Sequence, residues 1–172
     1  MTRWRPPIPK SSVYITAAGY ARLDDELKQR WVKRRQVVQH LSAAAAEGDR
    51  SENAEYIYRK KELRELDRRI RYLQKRLPEL KVVQQKPARQ DQIFFGAVIT
   101  LEDEAGQQTC YQIVGPDEIE TTAYQLLPQP ISIDSPLAKA LLKKQVDDEV
   151  VIQTDRKINH YTVCSITYSA ST

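Results

Sequence analysis

Residues 48–80 read GDRSENAEYIYRKKELRELDRRIRYLQKRLPEL, and this stretch decides the fold of the N-terminal half. Its apolar side chains recur with steps of three and four residues, at Leu63, Leu66, Ile70, Leu73, Leu77 and Leu80. Such a heptad seam is typical of a helix that packs along a second helix. Tyr56 extends the seam backwards by one heptad. Pro78 predicts that the helix kinks or ends there, because proline has no backbone donor.

The partner helix is predicted directly upstream. Residues 17–47 contain no proline and are rich in Leu, Ala, Arg, Lys and Glu, and Thr16 is a suitable N-cap. At 1.5 Å per residue this helix would be about 45 Å long. Only Gly48 and Asp49 separate the two helices, and so short a break favours an antiparallel hairpin. The small residues at 43–46 predict a slim tip.

The C-terminal half has a β-rich pattern. Strands are predicted at residues 93–101, 109–114, 131–133, 149–154 and 161–168. A hairpin turn is expected at 102–106, and a short helix at 136–144 with Ser135 as its cap. The fold class is therefore α+β, an antiparallel coiled-coil hairpin followed by a small α+β domain. We assign 1–13 to a leader, 14–83 to the hairpin with an acidic tip at 47–55, 84–90 to a linker and 91–169 to the C-terminal domain.

Charge is distributed unevenly along the 172 residues. Residues 1–89 hold 22 basic and 11 acidic side chains, whereas residues 90–172 hold 5 and 12, although the whole chain carries only +4. This asymmetry indicates two modules with different partners, one of them polyanionic. No apolar run suits a membrane span or a signal peptide, so we expect a soluble cytoplasmic protein.

Two residue types that often carry chemistry are sparse. Cys110 and Cys164 have no CxxC spacing, which favours small buried core residues over a disulfide or a metal site. His40 and His160 have no Cys or His neighbours at the spacing of metal ligands. Gly-rich phosphate loops and Ser-His or Cys-His constellations are also missing, so an autonomous enzyme is not expected.

The break between the helices carries two acids, Asp49 and Glu52, three residues apart. Spacing alone favours a capping box, and acids near a helix start also suit the helix dipole. The alternative is a metal or acid-base role, since carboxylates at the end of a long arm can reach into another molecule. Two oxygen ligands are too few for Mg²⁺, so a metal would have to be shared with carboxylates of a partner.

Behind this break the second helix is strongly basic. Residues 52–77 contain nine basic and five acidic side chains. A basic stripe at helical spacing consists of Lys60, Arg64, Arg68, Arg71 and Lys75, with Lys61 beside it. The simplest interpretation is a solvated face whose charges pair with Glu62, Glu65 and Asp67. The basic surplus favours contact with phosphates instead.

The run at 48–73 closely resembles the Gre family of bacterial transcript-cleavage and elongation factors. The Lys60–Lys61 pair and the Arg-dense stretch after it are closest to the GreB branch. Further similarity lies in ISIDSPLAKALLKK at 131–144 and in the segments 93–97 and 112–115. The resemblance covers most of residues 14–168 in the expected order.

This resemblance implies a hairpin followed by an FKBP-like domain that binds the rim of the secondary channel of RNA polymerase. The hairpin would reach a backtracked complex, where Asp49 and Glu52 help to bind a second Mg²⁺ while the polymerase cuts the RNA. The basic stripe would meet the extruded RNA 3′ end. Asp134, Ser135 and Pro136 would lie in the segment that contacts the polymerase, and the factor would act as a monomer.

Four features depart from the family pattern: Glu47, Glu62, the Pro-rich leader and the segment 120–130. Two other functions remain open. One is a channel-binding antagonist that does not stimulate cleavage, against which the intact Asp49 and Glu52 argue. The other is a coiled-coil adaptor or nucleic-acid-binding protein whose tip acids only cap a helix. A peptidyl-prolyl isomerase is suggested by fold analogy alone.

Overall fold

The computed structural model describes residues 10–46, 53–119, 127–153 and 158–168. The chain divides into two compact units. One comprises Met1–Gly19 together with Lys81–Thr172, and the other comprises Tyr20–Leu80. Among the described residues, no helix is both long enough and apolar enough to cross a membrane.

Two long helices dominate the Tyr20–Leu80 unit, as predicted. Helix α1 spans Ala17–Ala46, with its first turn in the other unit, and helix α2 spans Ala54–Arg76. The heptad seam is confirmed, because its members Leu66, Ile70 and Leu73 are buried. Pro78 ends α2 as expected and lies in a 3₁₀ turn, Leu77–Glu79.

Contacts between the two helices show that they run antiparallel. Residues progressively earlier in α1 meet residues later in α2: Asn53 Nδ2 donates to the Ala44 carbonyl at 3.2 Å, and Arg34 Nε donates to Asp67 Oδ1 at 2.6 Å. Further along, Arg69 Nη2 donates to Glu26 Oε2 at 2.7 Å. The hairpin prediction is therefore confirmed.

The unit of Met1–Gly19 and Lys81–Thr172 is built on a five-stranded sheet. Its strands are β3 (Val98–Asp103), β4 (Gln108–Val114), β5 (Gln129–Ser132), β6 (Glu149–Gln153) and β7 (Ile158–Thr167), and they lie in the order β5-β4-β3-β7-β6. All neighbours are antiparallel except β4 and β5. Helix α3 (Pro136–Leu141) contributes Ala138 and Leu141 to a core that includes Ile99, Leu101 and Val163. The α+β fold class is confirmed.

The predicted turn at 102–106 is also confirmed. Asp103 Oδ1 accepts hydrogen bonds from the amides of Ala105 and Gln107, both at 2.9 Å. Gly106 has a φ of +75°, a left-handed conformation that glycine adopts without a steric cost.

Several boundaries differ from the prediction. The strand predicted at residues 93–101 is β3, which begins at Val98 and not at Ile93. The Ile93 backbone pairs instead with the chain after α3, since its amide donates to the Lys144 carbonyl at 2.9 Å. Helix α3 ends at Leu141 and not at Lys144, since the backbone leaves the helical conformation at Leu142, with a ψ of 133°, and Lys143 follows with a φ of 69°. Its predicted cap is confirmed, with Ser135 Oγ accepting from the Ala138 amide at 3.1 Å.

The prediction that both cysteines are buried core residues was wrong. Cys110 and Cys164 are free thiols, but both are half-buried and not core residues. Cys110 of β4 lies opposite Thr100 of β3. The two neighbours of Thr100 in β3, Ile99 and Leu101, are fully buried. Because neighbouring residues of a strand point to opposite faces, Cys110 faces away from the covered side of the sheet.

Two short strands were not predicted from the sequence. Strand β1 (Tyr14–Thr16) pairs in parallel with β2 (Lys81–Val83), and this joins the two chain segments that flank the hairpin. Ile15 is fully buried there. Thr16 ends β1 and caps α1 as predicted, since its Oγ1 accepts from the Gly19 amide at 3.0 Å.

Candidate nucleic-acid interface and hairpin tip

The acids that sequence analysis placed at the tip, Asp49 and Glu52, lie outside the described residues, as does Glu47. The structure describes the two helix ends that flank them. Helix α1 ends at Ala46, and α2 begins at Ala54 with Asn53 as its N-cap.

Asn53 has two roles at this end of the hairpin. Its Oδ1 accepts from the Tyr56 amide at 3.1 Å, which satisfies one of the unpaired donors of the first turn. Its Nδ2 donates to the Ala44 carbonyl and so ties the start of α2 to the last turn of α1. The side chain that caps α2 is therefore Asn53 and not Asp49, which stands four residues earlier. This cap was not predicted from the sequence, although asparagine is among the preferred N-caps.

The basic residues of α2 fall into two groups. Three lie in ion pairs: Arg59 with Glu55 and Glu62, Arg69 with Glu26, and Arg76 with Glu79. Six are exposed and have no carboxylate partner within the part of the chain that the structure describes. We call them the open basic face, and they are Lys60, Lys61, Arg64, Arg68, Arg71 and Lys75.

The acids expected to neutralise this face are mostly engaged elsewhere. Glu62 accepts from Lys33 at 3.0 Å and from Arg59 at 3.1 Å, and these contacts, Lys33 first, hold the pKa of the Glu62 carboxyl below its usual value. Asp67 accepts from Arg34 at 2.6 Å. Of the three acids that the solvated-face interpretation named, Glu62 and Asp67 are thus engaged, and Glu65 is the remaining carboxylate on this side of α2. One such acid against six cations leaves the open basic face with a surplus of positive charge.

The departure at Glu62 has a structural explanation. A basic residue there would lengthen the basic surface, whereas the carboxylate of Glu62 bridges Lys33 of α1 and Arg59 of α2. Glu62 therefore links the two helices and adds no positive charge to the basic surface.

Glu26 is the centre of a second link between the helices. Its two carboxylate oxygens accept from Nε and Nη2 of Arg69 at 2.9 and 2.7 Å, and Oε1 also accepts from Arg30 at 2.6 Å. Hydrogen bonding to Arg69 is the main cause that lowers the pKa of Glu26. Paired oxygens on a planar guanidinium fix the register of the two helices more tightly than a single contact would.

The three residues predicted to contact a polymerase lie at the start of α3. Asp134 is half-buried, and its Oδ2 accepts from the Ser12 amide at 2.7 Å. Ser135 caps α3, and Pro136 is exposed at the first helical position. Two of the three residues thus support the local fold, and Pro136 presents its ring to solvent.

Within residues 10–46, 53–119, 127–153 and 158–168, no group of three His, Cys, Asp or Glu side chains comes together in a way that could hold a metal ion.

Comparison with known proteins identifies the family. Residues 13–82 match the family model "Transcription elongation factor, N-terminal", and residues 87–168 match "Transcription elongation factor, GreA/GreB, C-term". The chain is 52% identical to the transcription elongation factor GreB of Xanthomonas axonopodis pv. citri over 99% of each chain. It is also 52% identical to that of Pseudomonas aeruginosa over 98% of each.

Among solved structures, the GreA factor homolog 1 (Gfh1) protein of Thermus thermophilus is 26% identical and matches 91% of this chain and 99% of its own, with a TM-score of 0.41. The assignment rests on the sequence matches, which span nearly every residue. The resemblance seen in the tip and the α3 segment is confirmed, and the chain belongs to the GreA/GreB family of transcription elongation factors.

Proposed function

We propose that this protein enters the secondary channel of RNA polymerase with its hairpin and stimulates the polymerase's own Mg²⁺-dependent cleavage of backtracked RNA. The protein itself is not an enzyme in this proposal, since its tip completes a site that the polymerase holds. The proposal is supported by membership of a transcription elongation factor family and by relatives named GreB.

One observation supports a role for Asp49 and Glu52 other than helix capping. Helix α2 has its own N-cap in Asn53, so capping of α2 does not account for Asp49 and Glu52. Their carboxylate oxygens are the hard donors that Mg²⁺ takes in proteins, and two of them leave room for carboxylates of a partner. When bound, the ion would polarise the attacking water and offset charge at the scissile phosphate.

The open basic face would hold the extruded RNA by its phosphates. It lies on α2 just beyond the tip, and its cations have no carboxylate partner within the described part of the chain. Contacts of this kind release counterions from the nucleic acid, so they weaken as salt concentration rises.

Binding to the rim of the channel is assigned to the other unit, through Asp134, Ser135 and Pro136. Pro136 is exposed at the start of α3, whereas Asp134 and Ser135 hold the local backbone. We place the protein in the cytoplasm, where a bacterial polymerase works, and propose that it acts as a monomer.

Transcript cleavage by a backtracked polymerase complex tests the role of the tip. We expect Asp49→Ser and Glu52→Gln to abolish the stimulation and to leave polymerase affinity nearly unchanged, because serine can cap a helix but is a poor Mg²⁺ ligand. Glu79→Gln is the matched control, since it removes an exposed carboxylate at the opposite end of α2. Full activity of Asp49→Ser would rule out the metal role. Wild-type protein that binds without stimulating cleavage would instead identify an antagonist.

A further inference from the structure

Two tyrosines of α2 have much of their side chains exposed to solvent. Tyr58 is 61% exposed and Tyr72 is 44% exposed. They are fourteen residues apart, which is two heptads, so they lie on nearly the same line along the helix. At 1.5 Å per residue the two rings are about 21 Å apart along the axis.

Three cations of the open basic face follow the same repeat. Lys61, Arg68 and Lys75 are spaced by seven residues, and Lys61 and Lys75 each stand three residues after one of the tyrosines. Residues three apart on a helix are surface neighbours. Each exposed ring therefore has on the next turn a cation that has no carboxylate partner within the described residues.

Each ring is also accompanied by an arginine that is held in place. The guanidinium of Arg59 lies 5.6 Å from the Tyr58 ring centroid, and that of Arg69 lies 5.2 Å from the Tyr72 centroid. Arg59 is anchored by Glu55 and Glu62, and Arg69 by Glu26. Arginines anchored in this way steady the rings beside them, which reduces the entropy that a tyrosine loses when a ligand stacks on it.

We propose that Tyr58 and Tyr72 stack against unpaired bases of the extruded RNA while the neighbouring cations hold its phosphates. This inference rests on the proposed function, which brings RNA to α2. Aromatic side chains interleaved with cations are the usual platform for single-stranded nucleic acid, and stacking tolerates any sequence because every base has a π face. Glu65 lies between the two rings on the same line of the helix, and its carboxylate would repel the RNA phosphates. This favours two separate stacking positions over one continuous binding surface.

The two positions differ in the length of RNA that reaches them. Tyr58 is nine residues beyond Asp49 in the sequence, whereas Tyr72 is a further two heptads away. Short extruded segments should meet Tyr58 only, and longer segments should meet both rings. The interaction would make the factor more effective on deeply backtracked complexes.

The test uses full-length protein and backtracked complexes whose extruded RNA carries either normal or abasic nucleotides of equal length. Tyr58→Ala should raise the half-saturating factor concentration for cleavage about fivefold on normal RNA, and should have no effect on abasic RNA. Tyr72→Ala should behave in the same way, but only on long extruded segments. Tyr58→Phe keeps the ring and should match the wild type.

Gln74→Ala is the matched control, because it truncates an exposed side chain on another side of the same helix. Alanine is a better helix former than tyrosine, so the variants should fold, and circular dichroism verifies this. A 2-aminopurine placed in the extruded segment reports stacking independently of cleavage. Its fluorescence should be quenched by the wild type and by Tyr58→Phe, and not by Tyr58→Ala.

Equal losses on normal and abasic RNA would show that the tyrosines contact the polymerase, and the absence of any loss would show that they only face solvent. Either result overturns the inference. The outcome is separable from that of the proposed function: the fluorescence signal does not require cleavage, whereas active Asp49→Ser protein would refute the role of the tip without altering that signal.

Discussion

Glu118 follows β4, and its carboxylate is buried. It accepts from the Gly115 amide at 2.8 Å and from the amide and hydroxyl of Thr16 at 2.9 and 2.5 Å. The carboxylate thus stands at the N-terminus of α1, where the helix dipole favours negative charge. Gly19 is required beside it, because a Cβ there would lie 2.1 Å from Glu118 Oε2.

We expect Glu118→Ala to destabilise the unit that contains the sheet. Truncation leaves buried donors without an acceptor, at a cost of about 1–3 kcal/mol for each donor that water cannot reach. Urea unfolding, followed through the sheet signal, measures the loss. Glu104→Ala, which removes a well-exposed carboxylate from the same unit, should be nearly neutral. Equal stability of the two variants would contradict this role of Glu118.

Residue roles that depend on the local sequence could be predicted, whereas roles that depend on distant partners could not. Thr16 and Ser135 were predicted as caps because a cap is defined by the residues directly after it. Glu118 is recognisable only once Thr16 is placed beside it, 102 residues away in the chain. The cap at Asn53 was missed for another reason, since Asp49 with Glu52 presents an equally good local pattern four residues earlier.

At the level of elements, the hairpin depends on Glu26 as well as on its apolar seam. Hydrogen bonds from Arg69, and then from Arg30, hold the pKa of Glu26 below its usual 4.5. A carboxyl whose pKa is lower in the folded state stabilises the fold above the pKa of the unfolded state. That stabilisation is lost as the pH falls through the folded-state value.

We therefore expect Glu26→Gln to lower hairpin stability by about 1 kcal/mol at pH 7. The difference from the wild type should shrink as the pH falls below about 4.5. Helix unfolding followed by circular dichroism at several pH values measures it. Glu65→Gln, which removes an exposed carboxylate from the same helix pair, is the control. A difference that persists unchanged at low pH would show that the carboxylate charge is not the source.

Helices were predicted more accurately than strands, and the reason is physical. The seam from Leu63 to Leu80 gives many repeats of one period, whereas a strand of five residues offers only two or three alternations. Ile93 is fully buried and its apolar run suggests a strand, but its backbone pairs with the chain at Lys143 and Lys144. Strands β1 and β2 were too short to carry any alternation and gain their stability from each other.

At the scale of the whole molecule, the division into units changes the interpretation of the charge. Splitting the sequence after residue 89 suggested a strongly acidic C-terminal module. The compact units divide the charge differently: Tyr20–Leu80 carries 16 basic and 11 acidic residues, and the other unit carries 11 and 12. The unit that contains the sheet is thus nearly neutral overall. Its proposed binding to polymerase therefore has to come from local contacts and not from its net charge.

Those local contacts supply the last prediction, which separates binding from cleavage. Pro136→Ala should weaken polymerase binding and leave the cleavage rate at saturating factor near that of the wild type, because Pro136 is exposed and belongs to a different unit from the tip acids. Asp134→Ala should weaken binding more, since it also releases the Ser12 amide. Lys139→Ala, an exposed change on the same helix, is the control.

Titration of factor into backtracked complexes gives the half-saturating concentration and the maximal rate separately. An interaction made equally before and during the reaction alters the first and not the second, which is the result expected of an anchor. If Pro136→Ala lowers the maximal rate as much as the affinity, the α3 segment must help to place the tip. Anchoring and chemistry would then be coupled between the two units and not divided between them.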